Sequence, residues 1–482
     1  MTWKVVVMAN TWLSLLPAGI TVAAAVLSKR VLPSLILGLL VGSYILTPSV
    51  IGGLDTTIEY VIGTASDKGS LQVLLFLYLF SGLVAIVAKA GGTKAFSEWV
   101  TKRIATERGV LFALWATIPV TFIDCAFRII GAGSVIGPLA EKHKLSKERL
   151  AFMLNNTASP VVELIPIATT FVGFNIANIG QGLRAAGVTN QSAYDLLLRA
   201  IPFEFFSIVV LLITFSTIYF QWRKRRDGAA QHAAKRPAEG GMEMEHGDDE
   251  PLIEPRLINL AVPTLTIVTL SMFFFWWFGQ SGGGSDATLA DIIAATDPNR
   301  AMLVALSVTV FVTCVLYAAQ KYPTKRLTTD IIKGGNGLAR VLAILVVAWS
   351  LGSVSQDLGL ADFIRANLGS VLPAWSVPVS MFLIASAVTY FIGSGWATAS
   401  LMMPFAISLA VVSGSGLPLC VAAVITGGTF GDVTSPVAGM TNMASSAAGA
   451  DHASYLSYAN PYNFAALAIA ALLFLAFGFI GL

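Results

Sequence analysis

The chain has 482 residues, of which 55% are hydrophobic and 12% are charged, and its formal net charge is +3. Soluble domains contain about 25% charged residues, so this composition excludes an ordinary soluble protein and indicates an all-α polytopic membrane protein. The small net charge gives no reason to expect nucleic acid as a partner. The three cysteines and four histidines lie far apart, so we expect no disulfide framework, no zinc or haem site and no cofactor.

Apolar runs of about 17–25 residues, the length that crosses a bilayer as an α-helix, recur along the whole chain. The first run is interpreted as a retained helix and not as a cleaved signal, because a second run follows at once. The runs lie near residues 10–27, 31–47, 70–89, 109–124, 127–140, 147–178, 198–221, 257–279, 300–319, 339–355, 375–392, 396–412, 417–446 and 460–481.

Two regions, 109–140 and 375–412, are pairs of short runs that fold back at a polar or glycine-rich tip. The first tip runs from Asp124 to Arg128 and the second from Gly393 to Trp396. We predict that both regions are re-entrant hairpins. All basic loops then fall on one face, which the positive-inside rule makes cytoplasmic, with both termini outside. These loops are Lys29-Arg30, Lys94 to Arg108, Lys142 to Arg149, Arg223 to Arg226 and Lys321 to Lys325.

Two further apolar runs are interrupted by polar residues that end in Ser-Pro. One interruption is Asn155 to Pro160, and the other is Gly427 to Pro436 with Asp432 inside it. A carboxylate, a glycine cluster and a proline disfavour a regular helix, and irregular backbone at bilayer depth is tolerated only inside protein or beside a wet cavity. We therefore predict two broken helices, with Asp432 at the second break and Pro436 starting the next half-helix.

The two halves of the chain resemble each other. Gly92 aligns with Gly359, Phe122 with Phe391 and Pro160 with Pro436, at offsets of 267, 269 and 276 residues (359 − 92, 391 − 122, 436 − 160). The charge topology makes the repeat inverted, which is common in alternating-access transporters. The predicted organisation is a first transmembrane repeat at 1–222, a disordered cytoplasmic linker at 223–256 and a second, inverted repeat at 257–482.

The charged residues in apolar runs are the main candidates for a functional site. An aspartate in mid-membrane costs about 2.5–3.5 kcal/mol, so we expect Asp432 to act as a cation ligand or proton carrier. Asp124 and Arg128 are four residues apart and could form a salt bridge, or Arg128 could bind a carboxylate substrate through its planar fork. Glu163 follows Pro160 and could cap the half-helix or take part in coupling; we favour coupling.

Neutral oxygens and one aromatic residue complete the predicted site. The hydroxyl and amide side chains at the breaks suit sodium, or they satisfy freed backbone groups there. Trp396, at the second hairpin tip, is expected to be a gate or a wall for substrate. The polar members of the site are Asn155, Asn156, Thr157, Ser159, Ser394, Thr398, Thr434 and Ser435.

Several motifs together resemble the NhaC family of sodium/proton antiporters, in the wider ion transporter superfamily, over most of the chain. They are Phe430-Gly431-Asp432 with Ser435-Pro436, Trp349 to Gly352 with Asp357-Leu358-Gly359, Gly393 to Thr398, and Lys144 to Ala151 leading to Thr157 to Pro160. The resemblance implies sodium bound near Asp432 and Asp124, with sodium and protons as the coupling ions. The chain departs from the family pattern at three positions. That pattern has an aspartate at the position of Cys125, an asparagine at that of Arg128 and an aspartate at that of Gly439.

The leading functional hypothesis is a secondary active transporter that uses alternating access, and the resemblance favours sodium/proton antiport. The alternative, suggested by Arg128, is coupled transport of a small organic carboxylate or amino acid. A membrane-embedded enzyme is a remote alternative, because the sequence has no Ser/His/Asp set, metal motif or phosphate loop. The expected partners are the lipid bilayer and a small ion or organic solute; a homodimer is compatible with the sequence. The expected location is the inner (cytoplasmic) membrane.

Overall fold

The computed structural model describes residues 12–28, 30–92, 94–95, 106–122, 124–167, 169–220, 252–280, 297–360, 363 and 373–481. Every regular element in these ranges is a helix. Eight of the helices described are long and apolar enough to cross a membrane, or up to nine if a pair bent by 42° counts as one span. The prediction of an all-α polytopic membrane protein is confirmed.

In the first half of the chain the structure has twelve α-helices within the described residues. They are α1 (Leu16–Ser28), α2 (Val31–Leu46), α3 (Val50–Ser66), α4 (Lys68–Lys89), α5 (Glu107–Ala116), α6 (Ile118–Thr121), α7 (Cys125–Lys142), α8 (Lys147–Asn156), α9 (Ser159–Leu164), α10 (Thr170–Ala185), α11 (Ala193–Ala200) and α12 (Phe205–Ser216).

The described part of the second half has nine. They are α13 (Ile258–Gly279), α14 (Pro298–Ala319), α15 (Thr324–Gly337), α16 (Ala339–Asp357), α17 (Val377–Ile392), α18 (Gly395–Ser413), α19 (Leu417–Thr434), α20 (Gly439–Ala447) and α21 (His452–Ile480). Most of the predicted linker, residues 221–251, lies outside the described residues.

Helices α3 and α15 were absent from the predicted apolar runs, because neither is continuously apolar. Ser49 caps α3 by accepting a hydrogen bond from the Gly52 N–H. In α15 the buried face contains Gly334 and Gly335, and a Cβ on Gly334 would lie 2.6 Å from the Ala85 side chain of α4. These glycines therefore let α15 pack closely on α4.

The hairpin tips and the first break lie where the sequence predicted them. The first turn lies between α6 and α7, and the second at Gly393, whose φ of +78° is left-handed. Whether the hairpins re-enter the membrane from one side stays a prediction. The first break separates α8 from α9, with Pro160 in the first turn of α9.

The second break differs from the prediction. Helix α19 continues through Gly427, Gly428 and Asp432 to Thr434, and the next helix begins at Gly439, not at Pro436. The glycines serve packing instead of interruption. A Cβ on Gly427 would lie 2.6 Å from the Ala385 side chain of α17, and a Cβ on Gly431 would lie 2.1 Å from Thr389 of the same helix.

The helices pack in two groups that each draw on both halves of the chain. We call α1–α4 with α13–α16 the panel group, and α5–α12 with α17–α21 the hairpin group. In the panel group α4 packs on α14 and α15, while α16 packs on α2 and α3; in the hairpin group α19 lies between α17, α18 and α21. Helix α19 is almost wholly buried, whereas α13, α14 and α21 expose apolar side chains such as Leu265, Phe311 and Leu472, as lipid-facing helices do. The division into two inverted repeats stays a prediction.

Candidate functional site

Asp432 joins the second hairpin to the first break. Its carboxylate is 3% exposed, and Oδ1 accepts a hydrogen bond of 2.9 Å from the backbone N–H of Gly395, the first residue of α18. Oδ2 accepts a longer hydrogen bond of 3.4 Å from the Ser159 hydroxyl at the start of α9. The positive end of the α18 dipole therefore compensates part of this buried charge.

Glycines make the close approach of α18 and α19 possible. A Cβ on Gly395 would lie 2.8 Å from Asp432 Oδ2 and 3.1 Å from the Gly428 carbonyl oxygen. A Cβ on Gly393 would lie 2.7 Å from the Val437 carbonyl oxygen, so the hairpin tip also touches the second break. Any side chain at these glycines would push the tip away from the carboxylate.

The two asparagines at the first break face different neighbours. The Asn155 amide nitrogen donates to the Asp432 carbonyl oxygen at 3.3 Å and to the Tyr455 hydroxyl at 2.8 Å. The Asn156 amide nitrogen instead donates to Asn463 Oδ1 at 2.8 Å and to the Thr214 hydroxyl, so it lies against α21 and α12. Among the residues of the predicted site, three buried oxygens have no hydrogen-bond partner in the described part of the chain, namely Asn155 Oδ1, Asn156 Oδ1 and Thr434 Oγ1.

A cavity of about 40 Å³ lies beside Asp432, and its wall includes Ser394, Trp396, Phe174 and Arg340. The Trp396 ring packs on Phe174 with ring centroids 4.4 Å apart. This volume accommodates a few water molecules or an ion. It is far below the roughly 300 Å³ or more of typical small-molecule sites. In this conformation the cavity therefore suits an ion better than an organic solute.

The other hydroxyls of the predicted site mainly hold the backbone turns. Ser394 caps α18 by accepting from the Ala397 N–H, and Thr398 Oγ1 donates to the Ser394 carbonyl oxygen at 3.1 Å. Ser435 Oγ donates to the Tyr390 carbonyl oxygen at 2.5 Å, and Thr157 Oγ1 donates to the Met153 carbonyl oxygen at 2.7 Å. These contacts match the structural alternative considered for the break residues.

Asp124 and Arg128 do not pair with each other among the described contacts. Asp124 is the N-cap of α7, and its carboxylate accepts from the Phe127 N–H and the Thr170 hydroxyl, each at 3.0 Å. Arg128 is fully buried and donates all five of its N–H groups to protein oxygens. The acceptors are the Thr157 carbonyl, the hydroxyls of Thr117, Thr121 and Thr157, and the Leu114 carbonyl. In this conformation Arg128 has no donor left for an anionic substrate.

Glu163 lies further along its helix than the sequence predicted. It is the fifth residue of α9, outside the first turn, so it does not cap that helix. Its carboxylate accepts hydrogen bonds from the Thr429 hydroxyl of α19 and from the Ser207 hydroxyl of α12, the latter at 3.4 Å. Thr429 precedes Asp432 by three residues, so both side chains lie on one face of α19.

Sequence reasoning missed two charged residues at this site, Glu204 and Arg340. Glu204 is fully buried at the start of α12, and its charge acts on Glu163. A signal for it was present, because a lone carboxylate in the apolar run 198–221 carries the same insertion cost as Asp432. Arg340 is the second residue of α16, and no sequence pattern places the start of this helix beside Asp432.

A second cavity, of about 180 Å³, lies between the panel group and the hairpin group. Its wall includes Asp67 and Asn299 near the starts of α4 and α14, Arg184 in the last turn of α10, Ser192 at the start of α11, and Trp349 of α16. None of the predicted site residues lines it.

The model of the Na⁺/H⁺ antiporter family matches residues 161–479, which include Glu163, Glu204, Arg340 and Asp432. The chain belongs to the Na⁺/H⁺ antiporter family. This confirms the predicted resemblance to sodium/proton antiporters and makes the protein a multi-pass membrane transporter. An uncharacterized protein of Haemophilus influenzae is 25% identical over 470 residues, which are 94% of this chain and 88% of that relative.

Two solved transporter structures share the fold of this antiporter-family protein. The YdaH transporter of Alcanivorax borkumensis superimposes with a TM-score of 0.59 at 13% identity, over 89% of each chain. MtrF of Neisseria gonorrhoeae, described as representing a class of antimetabolite efflux pumps, superimposes with a TM-score of 0.57 at 13% identity, over 88% of this chain and 84% of its own. At this identity the likeness concerns the fold alone.

Proposed function

We propose that the protein is a secondary active transporter that exchanges sodium ions for protons by alternating access. The observation that carries the proposal is the position of Asp432, a buried carboxylate held between the second hairpin tip and the first break. We assign it to the inner (cytoplasmic) membrane, with the linker at 223–256 on the cytoplasmic side, because of the distribution of basic loops.

Exchange follows if sodium and a proton compete for the same carboxylate. Sodium is a hard cation and prefers oxygen ligands, which the Asp432 carboxylate and nearby neutral oxygens supply. Thr434 Oγ1 and Asn155 Oδ1 are buried and free of hydrogen bonds among the described residues, so both retain capacity for a cation. Asp124 is a weaker candidate, because its carboxylate already caps α7 and accepts from Thr170.

The test is sodium flux in proteoliposomes under an imposed pH gradient, comparing Asp432→Asn with the parent protein. We expect proton-driven sodium flux to fall by about tenfold or more in the variant. A factor of this size corresponds to a typical coupling free energy between two binding sites. The matched control is Asp451→Asn. Asp451 is an exposed N-cap of α21 whose pKa is lowered by the hydrogen bond from the Ser454 N–H, and asparagine caps equally well. Unchanged flux and pH dependence in Asp432→Asn would make Asp432 structural.

A second candidate is coupled transport of a small organic carboxylate or amino acid. Arg340 and the aromatic rings of Trp396 and Phe174 lie in the wall of the cavity beside Asp432, and such groups could bind an organic anion in a wider conformation. MtrF, a structural relative, is described as an efflux pump. Adding a panel of carboxylates and amino acids to the same proteoliposomes separates the two. Flux that requires an organic solute would replace the sodium/proton assignment.

A further inference from the structure

Two buried glutamates lie together near the Asp432 site. Glu163 of α9 is 5% exposed, and Glu204 at the start of α12 is fully buried. The charges of both Glu204 and Asp432 act on the Glu163 carboxyl. Ser207, one helical turn after Glu204, donates its hydroxyl to Glu163 Oε2, which fixes the two elements side by side. The pair is therefore a feature of the packing of α9 against α12.

Ordinary structural roles do not account for Glu204. Although it occupies the N-cap position of α12, its side chain makes no capping hydrogen bond. Both of its carboxylate oxygens are buried, and neither has a hydrogen-bond partner among the described residues. Nor does Glu163 or Glu204 form an ion pair there. A buried, unpartnered carboxylate is costly, so this group needs another explanation.

The glutamate pair connects with the Asp432 site through α19. Thr429 donates to Glu163, and Asp432 lies three residues further along the same helix, about 4.5 Å along the axis at 1.5 Å per residue. The order Asp432, Thr429, Glu163, Glu204 thus runs from the cavity toward the N-terminal end of α19, at Leu417. Polar groups in a row through an apolar interior are the usual form of a proton route.

The surrounding elements supply few other groups that titrate. Cys125 of α7 is acted on by the charges of Glu163 and Asp432. On the packed helices the remaining groups have partners of their own, as with Arg149 and Glu107, Asp195 and Arg199, Tyr194 and the Pro166 carbonyl, Tyr455 and Asn155, and His452 with Ser445. The other titratable side chains on these helices are Lys147, Glu148, Arg184, Tyr390, Cys420, Tyr458 and Tyr462. None of the lysines and arginines on these helices forms an ion pair with Glu163 or Glu204 among the described residues.

We infer that Glu163 and Glu204 form a carboxyl pair that holds the exchanged proton and passes it to Asp432, the carboxylate for which sodium competes. Two adjacent carboxylates in a water-poor interior without a cation cannot both carry a charge, so the pair holds at least one proton. The hydroxyls of Thr429 and Ser207 stabilise the charged form of Glu163 only, so Glu204 is the protonated partner at rest. On transfer, the O–H bond to Glu204 breaks as one to the Glu163 carboxylate forms. The Glu163 O–H bond then breaks as the Asp432 carboxylate takes the proton.

This inference rests on the proposed function in naming the proton as a coupling ion, but the pair can be tested without transport. Infrared difference spectra of the purified protein between acidic and alkaline pH report each buried carboxyl that takes up a proton. We expect Glu204→Gln and Glu163→Gln each to remove or shift the part of that signal that comes from the pair, and the double variant to leave only the signal of other carboxyls, Asp432 among them. The matched control, Asp195→Asn, alters an acid that is paired with Arg199 on α11 and should leave the signal unchanged.

Transport measurements then separate the role of the glutamate pair from the role of Asp432. We expect Glu204→Gln to lower proton-driven sodium flux by about tenfold or more while sodium/sodium exchange continues, because the Asp432 site is intact. Asp432→Asn should abolish both. If Glu204→Gln does not fold, Glu163→Gln likewise leaves a single carboxyl, that of Glu204, and answers the same question. An unchanged carboxyl signal in the double variant would overturn the inference; absence of sodium transport in the parent would refute the proposed function alone.

Discussion

Arg128 is a buried cation without a carboxylate partner among the described contacts, and its neighbours explain how the fold tolerates it. Two of its acceptors are backbone carbonyls at helix ends, Thr157 at the C-terminus of α8 and Leu114 in the last turn of α5. Helix C-termini carry partial negative charge, so both favour a cation. Arg128 thus ties the first hairpin to the first break.

We expect Arg128→Lys to destabilise the protein markedly. Lysine offers three donors in place of five, so at least two hydrogen bonds to a charged group are lost, each worth about 1.5–3 kcal/mol. The measurement is thermal unfolding in detergent, with Arg199→Lys as the control, since Arg199 is exposed and its ion pair in the described part of the chain is with Asp195 on its own helix. Unchanged stability together with a weaker affinity for an organic carboxylate would restore the predicted role of Arg128 as an anion anchor.

Asp124 and Arg128 are four residues apart, a spacing that suggests a salt bridge, but the actual partners of the two residues cannot be deduced from this spacing. An i, i+4 pair requires both residues inside one helix. Asp124 has extended backbone angles just before α7, so its carboxylate turns back onto the Phe127 N–H. Arg128 instead reaches a break 29 residues further along the chain. Asp432 was predicted as a site residue because mid-membrane charge is visible in sequence, and the same signal was overlooked at Glu204.

At the scale of elements, α19 shows why glycine clusters are ambiguous in sequence. A glycine in a helix costs about 1 kcal/mol relative to alanine, and a cluster with a proline therefore suggested a break. The helix nevertheless persists to Thr434, because the missing side chains let α17 and α18 approach it. The break falls only at the residues around Pro436. Sequence identified the segment, while the neighbours that decide between breaking and packing became visible only in the fold.

This packing role predicts a strong effect of Gly431→Ala. The added Cβ would lie 2.1 Å from Thr389 Cγ2 and 2.7 Å from the Thr389 backbone, so α17 would have to move. Overpacking of this kind costs about 1–3 kcal/mol or more, and we expect a lower unfolding temperature and reduced transport. In the control Gly63→Ala the new Cβ meets nothing within 4 Å, so stability should be equal or slightly higher. Equal behaviour of both variants would contradict the packing role.

At the scale of the whole molecule, the interleaving of the two halves was not foreseen. Lys89 of α4 forms an ion pair of 2.6 Å with Asp330 of α15, and Ser81 donates to the Gly334 carbonyl oxygen at 2.7 Å. The panel group is therefore built across the two halves. Sequence periodicity locates helices but carries no information on which helix of the other half each one contacts.

Both cavities lie where the panel group meets the hairpin group. The larger cavity lies between α4, α14 and α16 on one side and α10 and α11 on the other, and the smaller one lies between α16 and the second hairpin tip. Contacts across this boundary include the bond from Gln356 Nε2 to the Arg184 carbonyl oxygen, at 2.9 Å. We predict that alternating access moves one group against the other.

Cross-linking tests this movement. A bifunctional thiol reagent across Arg184→Cys and Gln356→Cys, which lie on opposite sides of the boundary, should stop transport, and a cleavable reagent should allow it to recover on reduction. The control is Tyr78→Cys with Asn336→Cys, a contact of 3.1 Å between α4 and α15 inside the panel group. Cross-linking there should leave transport intact, because both residues move together. Native Cys125 and Cys420 are buried and Cys314 is half-buried, so background reaction is limited. Full transport by the cross-linked Arg184–Gln356 pair would show that the boundary is static and that the hairpins move alone.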